Sequence, residues 1–216
     1  MDKKMDIFDL SIAEEEGKFI EKGLLLESDV ASEVIDTMVD FPWLGSLIKL
    51  GRVGKRLLDL HFVRKIAIFL KQSDDIEKEE KESFLSKLDQ KDRKRMKDYL
   101  MHLLYTAEED KKAAVMGMVY RDRIMGNIDN DMFLRLCSSI NRVYIDDIEK
   151  LINYVKANSK NDYISNNLYS SGLLQMTESL FTGESIQLGG DFELNEVGKH
   201  LLRILRDAKI FPKKIN

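Results

Sequence analysis

Apolar residues recur at helical spacing through the middle of the chain. Residues on the buried face of an amphipathic helix lie three or four positions apart, so each such stripe predicts a helix with one face in the core. Four stripes have this spacing: Met96, Tyr99, Leu100, Leu103 and Leu104; Val115, Met118 and Val119; Phe133, Leu136, Cys137 and Ile140; and Ile148, Leu151, Ile152 and Val155. Two further helices with weaker patterns are predicted around 7–22 and 30–39.

Polar residues mark where these helices begin and end. A side-chain oxygen at the N-cap, with Glu three residues later, satisfies two backbone amides at a helix start. This spacing predicts starts at Asp74 with Glu77, Thr106 with Glu109 and Asp146 with Glu149. Further N-cap candidates are Asp89 and Asp129, and Gly126-Asn127 predicts a helix C-terminus.

The pattern changes after residues 157–162. A turn leading into a strand is predicted over 171–176, a second strand over 191–194, and a last helix capped by Asn195. The fold class is therefore mainly α, with a multi-helix bundle at 1–157. A small α+β tail with one β-hairpin follows at 158–216, and we expect it to pack on the bundle.

The order of elements in the tail resembles the second half of a winged-helix domain. A helix is followed by a Gly-Leu-Leu strand, a loop, a second strand and a helix reading Leu-Asn-Glu-Val-Gly-Lys, where the family has Leu-Thr-x-x-Gly. The resemblance implies a DNA-binding regulator, because this family places the helix before the first strand in the major groove. Residues 161–198, however, contain six acidic residues and no Lys or Arg. Such a surface repels phosphate, so we expect this tail to be structural or to contact protein.

The region from Phe69 to Leu151 loosely resembles uncharacterised helical bacterial proteins. The shared features are a helix ending in Phe-Leu-Lys, an acidic hinge and a closing capped helix. No function is known for those proteins that could be carried over. A part in bacterial defence or in a stress response is a hypothesis from this resemblance.

Composition limits the class of protein. A chain of 216 residues that is 44% hydrophobic can bury a substantial core, and two prolines permit long helices. Cys137 is the sole cysteine, so neither an intramolecular disulfide nor a thiolate zinc cluster can form, and we expect a cytoplasmic location. Uncharged runs are much shorter than the roughly 20 residues of a membrane-spanning helix.

Positive charge is concentrated in one segment of a chain whose net charge is -4. Residues 43–72 contain seven basic residues against Asp59 alone. On a helix with about 100° per residue, one face carries Lys49, Arg52, Lys55 and Arg56, and leucines occupy the adjoining face. Continuing the same helix would place Arg64 and Lys65 on the apolar face. We therefore predict a break near 59–61, between helices at about 43–59 and 61–72.

Lys49, Arg52, Lys55 and Arg56 are our candidates for partner binding. A solvated outer face of a core helix is the simplest interpretation, since charged runs usually face water. The alternatives are contact with a protein partner, with an anionic membrane surface, or with nucleic acid through residues 49–71. A phosphate-binding loop is a poor fit, because Gly54-Lys55 is followed by Arg56 and not by a hydroxyl residue.

Other residues with reactive side chains are isolated in the sequence. His61, His102 and His200 have no second ligand at metal-binding spacing, and we expect core or boundary histidines. An apparent calcium loop at 127–138 has Met132 and Ser138 where Gly and Glu belong. We predict no catalytic residue, cofactor or metal. The expected protein is a non-enzymatic interaction or regulatory protein that binds a protein partner or itself and can lie at the membrane periphery.

Overall fold

The structure is a computed structural model that describes residues 60–158, 162–177 and 191–210. Helices α1 to α4 are Leu60–Lys71, Lys78–Lys87, Gln90–Thr106 and Asp110–Ile124. Helix α5, a 3₁₀ helix and α6 follow at Asn130–Arg142, Ile145–Tyr154 and Tyr163–Ser170. Strands β1 (Leu174–Met176) and β2 (Phe192–Leu194) precede α7 (Glu196–Asp207). The predicted fold class, mainly helical with a small antiparallel sheet near the C-terminus, is confirmed.

Two compact units make up the chain, Met1–Asn130 and Asp131–Asn216. The second unit begins with α5, upstream of the tail predicted at 158–216. Contacts within this unit explain its extent, since the 3₁₀ helix packs against α6, β2 and α7. The predicted boundary at 157–158 stays a prediction.

Helices α1 and α4 form the centre of the first unit. At Gly117 on α4, a Cβ atom would lie 2.3 Å from the carbonyl oxygen of Phe69 on α1. The two backbones are therefore as close as a glycine permits. About one turn further along α4, the ring of Tyr120 lies 5.2 Å from that of Phe69 and 6.2 Å from that of Phe84.

Arg64 and Lys65 of α1 bind polar groups in the connection between α3 and α4. The guanidinium of Arg64 lies 2.8 Å from the carboxylate of Asp110, the first residue of α4. The ammonium of Lys65 donates to the carbonyl of Ala107, which caps α3. These two charges are thus used inside the unit. Helix α1 confirms the second predicted element. The break near 59–61 is not tested, because the described residues begin at 60, and the helices at 7–22, 30–39 and 43–59 lie outside them.

The predicted helix ends are partly confirmed. Asp89 caps α3, since its carboxylate accepts from the backbone amide of Asp92 at 2.6 Å. Helix α4 ends at Ile124, and Gly126 follows its C-cap, Met125, with a positive φ of 77°. The three predicted capping boxes are wrong. Thr106 is the last residue of α3, and its hydroxyl donates backwards to the carbonyl of His102 at 2.9 Å. This local bond competes with N-capping for threonine.

The other two capping boxes miss by a few residues. Asp74 lies in the turn after α1, and the N-cap of α2 is Glu77. Asp146 lies in the first turn of the 3₁₀ helix, whose N-cap is Tyr144. Helix α5 begins directly after Asp129, as predicted. A capping box that the pattern missed starts α6, where Asp162 and Ser165 exchange hydrogen bonds.

A small sheet lies in the second unit. Strands β1 and β2 pair antiparallel, with Leu174 opposite Leu194 and Met176 opposite Phe192. On the other side of β2, Asn158 forms an isolated bridge to Phe192, with both hydrogen bonds at 2.9 Å. β2 is therefore flanked on both sides within the described residues.

Candidate interaction groove beside helix α7

A groove of about 310 Å³ runs along one face of α7 in the second unit. We call it the α7 groove. Its lining consists of three apolar residues, three basic residues and one acidic residue: Val155, Leu194, Lys199, Leu202, Arg203, Arg206 and Asp207. Because these residues come from the end of the 3₁₀ helix, from β2 and from α7, the groove exists only when the three elements are packed together.

The start of α7 is fixed by Asn195. Its side-chain oxygen accepts from the backbone amide of Gly198 at 2.9 Å, as expected for an N-cap. Its side-chain NH₂ donates to the carbonyls of Gly172 and Leu174, at 2.9 and 3.2 Å, on either side of the start of β1. One side chain thus ties the helix to the strand, which determines which face of α7 borders the groove.

Gly198 permits the close approach that Asn195 directs. A Cβ atom at this position would lie 2.1 Å from the carbonyl oxygen of Leu173. No side chain fits at that distance, so the first turn of α7 packs directly on the backbone of Leu173, the residue before β1. This is the glycine of the Leu-Asn-Glu-Val-Gly segment on which the winged-helix resemblance depends, and here its role is steric.

The floor of the groove is apolar. Leu194 and Leu202 are 4% and 3% exposed, whereas Val155 is 49% exposed. Val155 was predicted to continue the buried stripe of Ile148 and Leu151. That prediction is wrong, because the 3₁₀ helix ends at Tyr154 and leaves Val155 at its C-cap. Val155 therefore offers an accessible apolar contact.

Basic side chains form the rim on the α7 side. Lys199, Arg203 and Arg206 are spaced at i, i+4 and i+7, so they share one helix face. Lys199 lies 2.7 Å from Glu196, and Arg203 lies 3.6 Å from Asp207. The Lys199 hydrogen bond lowers the pKa of Glu196, and that carboxylate in turn raises the pKa of Lys199. Exposed pairs of this kind contribute little to stability and exchange partners readily.

Arg206 differs from the other two rim cations. Among the residues that the structure describes, its guanidinium has no ion-pair or hydrogen-bond partner. An arginine can bind a carboxylate through two parallel hydrogen bonds, which gives both direction and strength. Together, the floor and rim suit a ligand that carries an apolar group next to carboxylates.

The candidate binding residues from the sequence, Lys49, Arg52, Lys55 and Arg56, lie outside the described residues. The α7 groove was not predicted. The spacing of Lys199, Arg203 and Arg206 around Leu202 was visible in the sequence as a basic stripe beside an apolar position. Val155 could not have been added to it, because only the packing of the 3₁₀ helix brings that residue to α7.

Cys137, His102 and His200 are not among the residues that line the groove. Cys137 is fully buried, and this desolvation raises the pKa of its thiol, so the thiolate is disfavoured. His102 is exposed on α3, which makes the expected core or boundary position wrong for that residue. His200 is half-buried, and its Nδ1 has no hydrogen-bond partner within the described part of the chain.

The described residues offer neither a metal site nor a membrane-spanning helix. Across 60–158, 162–177 and 191–210, no three His, Cys, Asp or Glu side chains are placed to hold a metal ion. None of the helices described there combines the length and apolarity needed to cross a bilayer. Comparison of the whole chain with models of protein families, with curated proteins and with solved structures finds no match.

Proposed function

We propose that this is a non-enzymatic interaction protein whose α7 groove binds an acidic segment of a partner protein. The observation that carries the proposal is the combination of an apolar floor, Leu194, Leu202 and Val155, with three cations on one helix face. An apolar side chain of the partner would lie on the floor, and neighbouring carboxylates would meet Arg203 and Arg206. Opposite charges at the rim then give orientation and rate, and burial of the apolar group gives affinity.

The size of the groove favours a peptide over a free small molecule. Its volume of about 310 Å³ is at the lower end of the range of about 300–1,000 Å³ that holds drug-sized ligands. One large apolar side chain occupies only part of such a space. The rest of the affinity must come from contacts outside it, which a peptide supplies through its flanking acidic residues.

The test uses the full chain and a defined probe. The probe is a fluorescein-labelled peptide of Glu residues with one central Phe, and its binding is measured by fluorescence anisotropy. Two control peptides replace Phe with Ala or every Glu with Gln. We expect both controls to bind at least about tenfold more weakly than the probe, since each lacks one of the two interactions. Equal binding of the Gln peptide would contradict the proposed charge recognition.

Variants locate the binding in the groove. We expect Arg203→Glu/Arg206→Glu to weaken the probe at least about tenfold, because attraction of about 1 kcal/mol or less at each position becomes repulsion. Val155→Asp should weaken binding of the probe similarly, because it places a charge on the apolar floor. The matched control, Lys94→Glu/Arg95→Glu, reverses two exposed charges on α3 and should bind as the wild type does. Equal loss in the control would show that only net charge matters.

A second proposed contact is the basic face of Lys49, Arg52, Lys55 and Arg56. Its support is the charge of the sequence together with the internal use of Arg64 and Lys65 by Asp110 and Ala107. Those contacts leave the four upstream residues as the main candidates for an anionic partner in the segment. Reversing all four to Glu should abolish an interaction that survives the groove variants. A folded quadruple variant with every interaction intact would refute this contact.

Nucleic acid and anionic lipid are the competing ligands for either surface. Gel-shift titration with duplex DNA at low salt and co-sedimentation with phosphatidylserine vesicles distinguish them from a peptide. Under the proposal, neither competes with the labelled probe at moderate salt, where phosphate binding is weaker than at low salt. Binding to duplex DNA that outcompetes the probe would replace the proposed partner with nucleic acid.

A further inference from the structure

Helix α6 itself carries no charged side chain, and the charged residues Asp162 and Arg142 contact its two ends. From Tyr163 to Gly172 the chain has no Asp, Glu, Lys or Arg, although one third of all its residues, 33%, are charged. Tyr163 is 79% exposed and Tyr169 is 45% exposed, and Asn166 and Ser170 are exposed beside them. These four exposed residues, two tyrosines, an asparagine and a serine, are uncharged although the rest of the chain is rich in charge.

Two neighbouring residues extend this surface. The backbone amide of Tyr144 donates to the side-chain oxygen of Asn167 at 3.0 Å, which places Tyr144 beside α6. On the other side, the ring of Tyr169 lies 5.6 Å from that of Phe192, and Phe192 is the strand partner of Met176. Tyr144 is 58% exposed and Met176 is 47% exposed. We define the α6 surface as Tyr144, Tyr163, Asn166, Tyr169, Ser170 and Met176.

Tyrosine and methionine of the α6 surface are typical of protein interfaces. Interface centres are enriched in these two residues and depleted in charged residues such as lysine, glutamate and aspartate, and also in serine. Tyrosine covers a large area at a low cost in conformational entropy, and asparagine and serine supply adaptable hydrogen bonds. The α7 groove has the opposite character, because three cations line it.

The chemistry of the α6 surface points to a second copy of the same chain as its occupant. In a two-fold dimer the same patch faces itself, so any charge in it meets a like charge nearby. A neutral patch avoids this repulsion. Tyrosine and serine hydroxyls and asparagine amides each donate and accept hydrogen bonds, so identical groups can pair across the axis. We propose that the protein forms a two-fold homodimer through the α6 surface. This goes beyond the proposed function, which uses different residues.

Sedimentation equilibrium of the full chain over a range of concentrations tests the dimer. The wild type should show a reversible equilibrium between monomer and dimer. Tyr163→Arg should shift the dissociation constant at least about tenfold toward monomer, because two added charges face each other across the axis. Met125→Arg is the matched control, since it adds the same charge at an exposed apolar residue in the first unit and should leave the equilibrium unchanged. Circular dichroism verifies that each variant is folded.

A charge-swap experiment identifies the surface independently. Tyr163→Arg and Tyr163→Glu should each be more monomeric than the wild type, and an equimolar mixture should recover dimers because opposite charges then meet. A wild type that stays monomeric at all concentrations overturns the proposal. So does a dimer that Tyr163→Arg leaves intact, or one that Met125→Arg weakens equally. Probe binding to the α7 groove is measured in parallel, so a failure of either proposal is seen separately.

Discussion

Among single residues, Gly117 and Gly126 of the first unit disfavour a larger side chain for two different reasons. Gly117 has no room for a Cβ atom, which would lie 2.3 Å from the Phe69 carbonyl oxygen. Gly126 has open space around it but a φ of +77°, which an L residue adopts at a cost of about 1 kcal/mol. One position is therefore limited by packing between helices, and the other by its own backbone.

We expect Gly117→Ala to lower the free energy of unfolding by about 1–3 kcal/mol, as overpacking of a core does. Gly126→Ala should cost only about 1 kcal/mol. Urea denaturation of the full chain measures both. An alanine at 117 that stabilises the protein, through the higher helix propensity of alanine, would show that α1 and α4 can separate without loss.

Asp147 predicts a dependence of stability on pH. The residue is 7% exposed, and burial raises the pKa of its carboxyl, with further contributions from Asp146 and Asp162. A folded-state pKa above the unfolded value near 3.8 means that the folded state holds the proton more tightly. The contribution of Asp147 to the free energy of unfolding is therefore present at acidic pH and is lost as pH rises through the folded-state pKa.

Asp147→Asn replaces the titrating carboxyl with a neutral amide, so the variant does not lose this stability as pH rises. The difference in free energy of unfolding, variant minus wild type, should therefore increase as pH rises from below about 3.8 to neutrality. Urea titrations at several pH values measure that difference. Carboxyls distant from Asp147 cancel because both proteins contain them, and the loss of repulsion with Asp146 and Asp162 changes the difference in the same direction. A difference that stays constant or falls with pH would contradict a raised pKa at Asp147.

At the scale of elements, α7 shows what local sequence can predict. The Asn195 cap and the strand at 191–194 were predicted correctly, because a cap and an alternating strand depend on neighbouring residues. The capping boxes at Asp74, Thr106 and Asp146 were wrong for a related reason. In a chain with 38 acidic residues, an oxygen with Glu three positions later often occurs inside or between helices.

Substitutions at Asn195 separate its two roles in placing α7. Asn195→Ala should cost about 1–2 kcal/mol, since the cap is lost and the carbonyls of Gly172 and Leu174 lose a donor. Asn195→Asp keeps the acceptor for the Gly198 amide but turns a carboxylate oxygen toward the carbonyls of Gly172 and Leu174. It should therefore also be destabilised, which thermal unfolding measures. Wild-type stability for Asn195→Asp would mean that only the cap matters.

For the molecule as a whole, sequence patterns do not predict which segments that are distant along the chain pack against each other. The helices, the two strands and the mainly helical class follow from periodicity, which is local. The α7 groove depends on Val155, Leu194 and α7 meeting in space, and no periodicity contains that information. The same holds for Arg64, whose partner Asp110 lies on another helix and makes a charge on α1 compatible with packing.

The extent of the second unit also depends on contacts distant in sequence. The side chain of Arg142, at the end of α5, donates to the Ser171 carbonyl at 3.2 Å. Asn158 pairs with β2, and the 3₁₀ helix packs against α6, β2 and α7. A fragment that starts at 158 would lack α5, the 3₁₀ helix and Val155. A fragment of 131–216 would keep them all.

We therefore expect the 131–216 fragment to unfold cooperatively and to bind the acidic Phe peptide, whereas the 158–216 fragment should do neither. Loss of the 3₁₀ helix removes the buried side chains of Ile148, Leu151 and Tyr154 from the core of the unit. Circular dichroism with urea titration measures folding, and anisotropy measures binding. The fragment 131–216 carrying Arg203→Glu/Arg206→Glu is the control for specific binding, since it should fold but not bind. Cooperative unfolding of 158–216 alone would instead support the domain boundary that the sequence predicted.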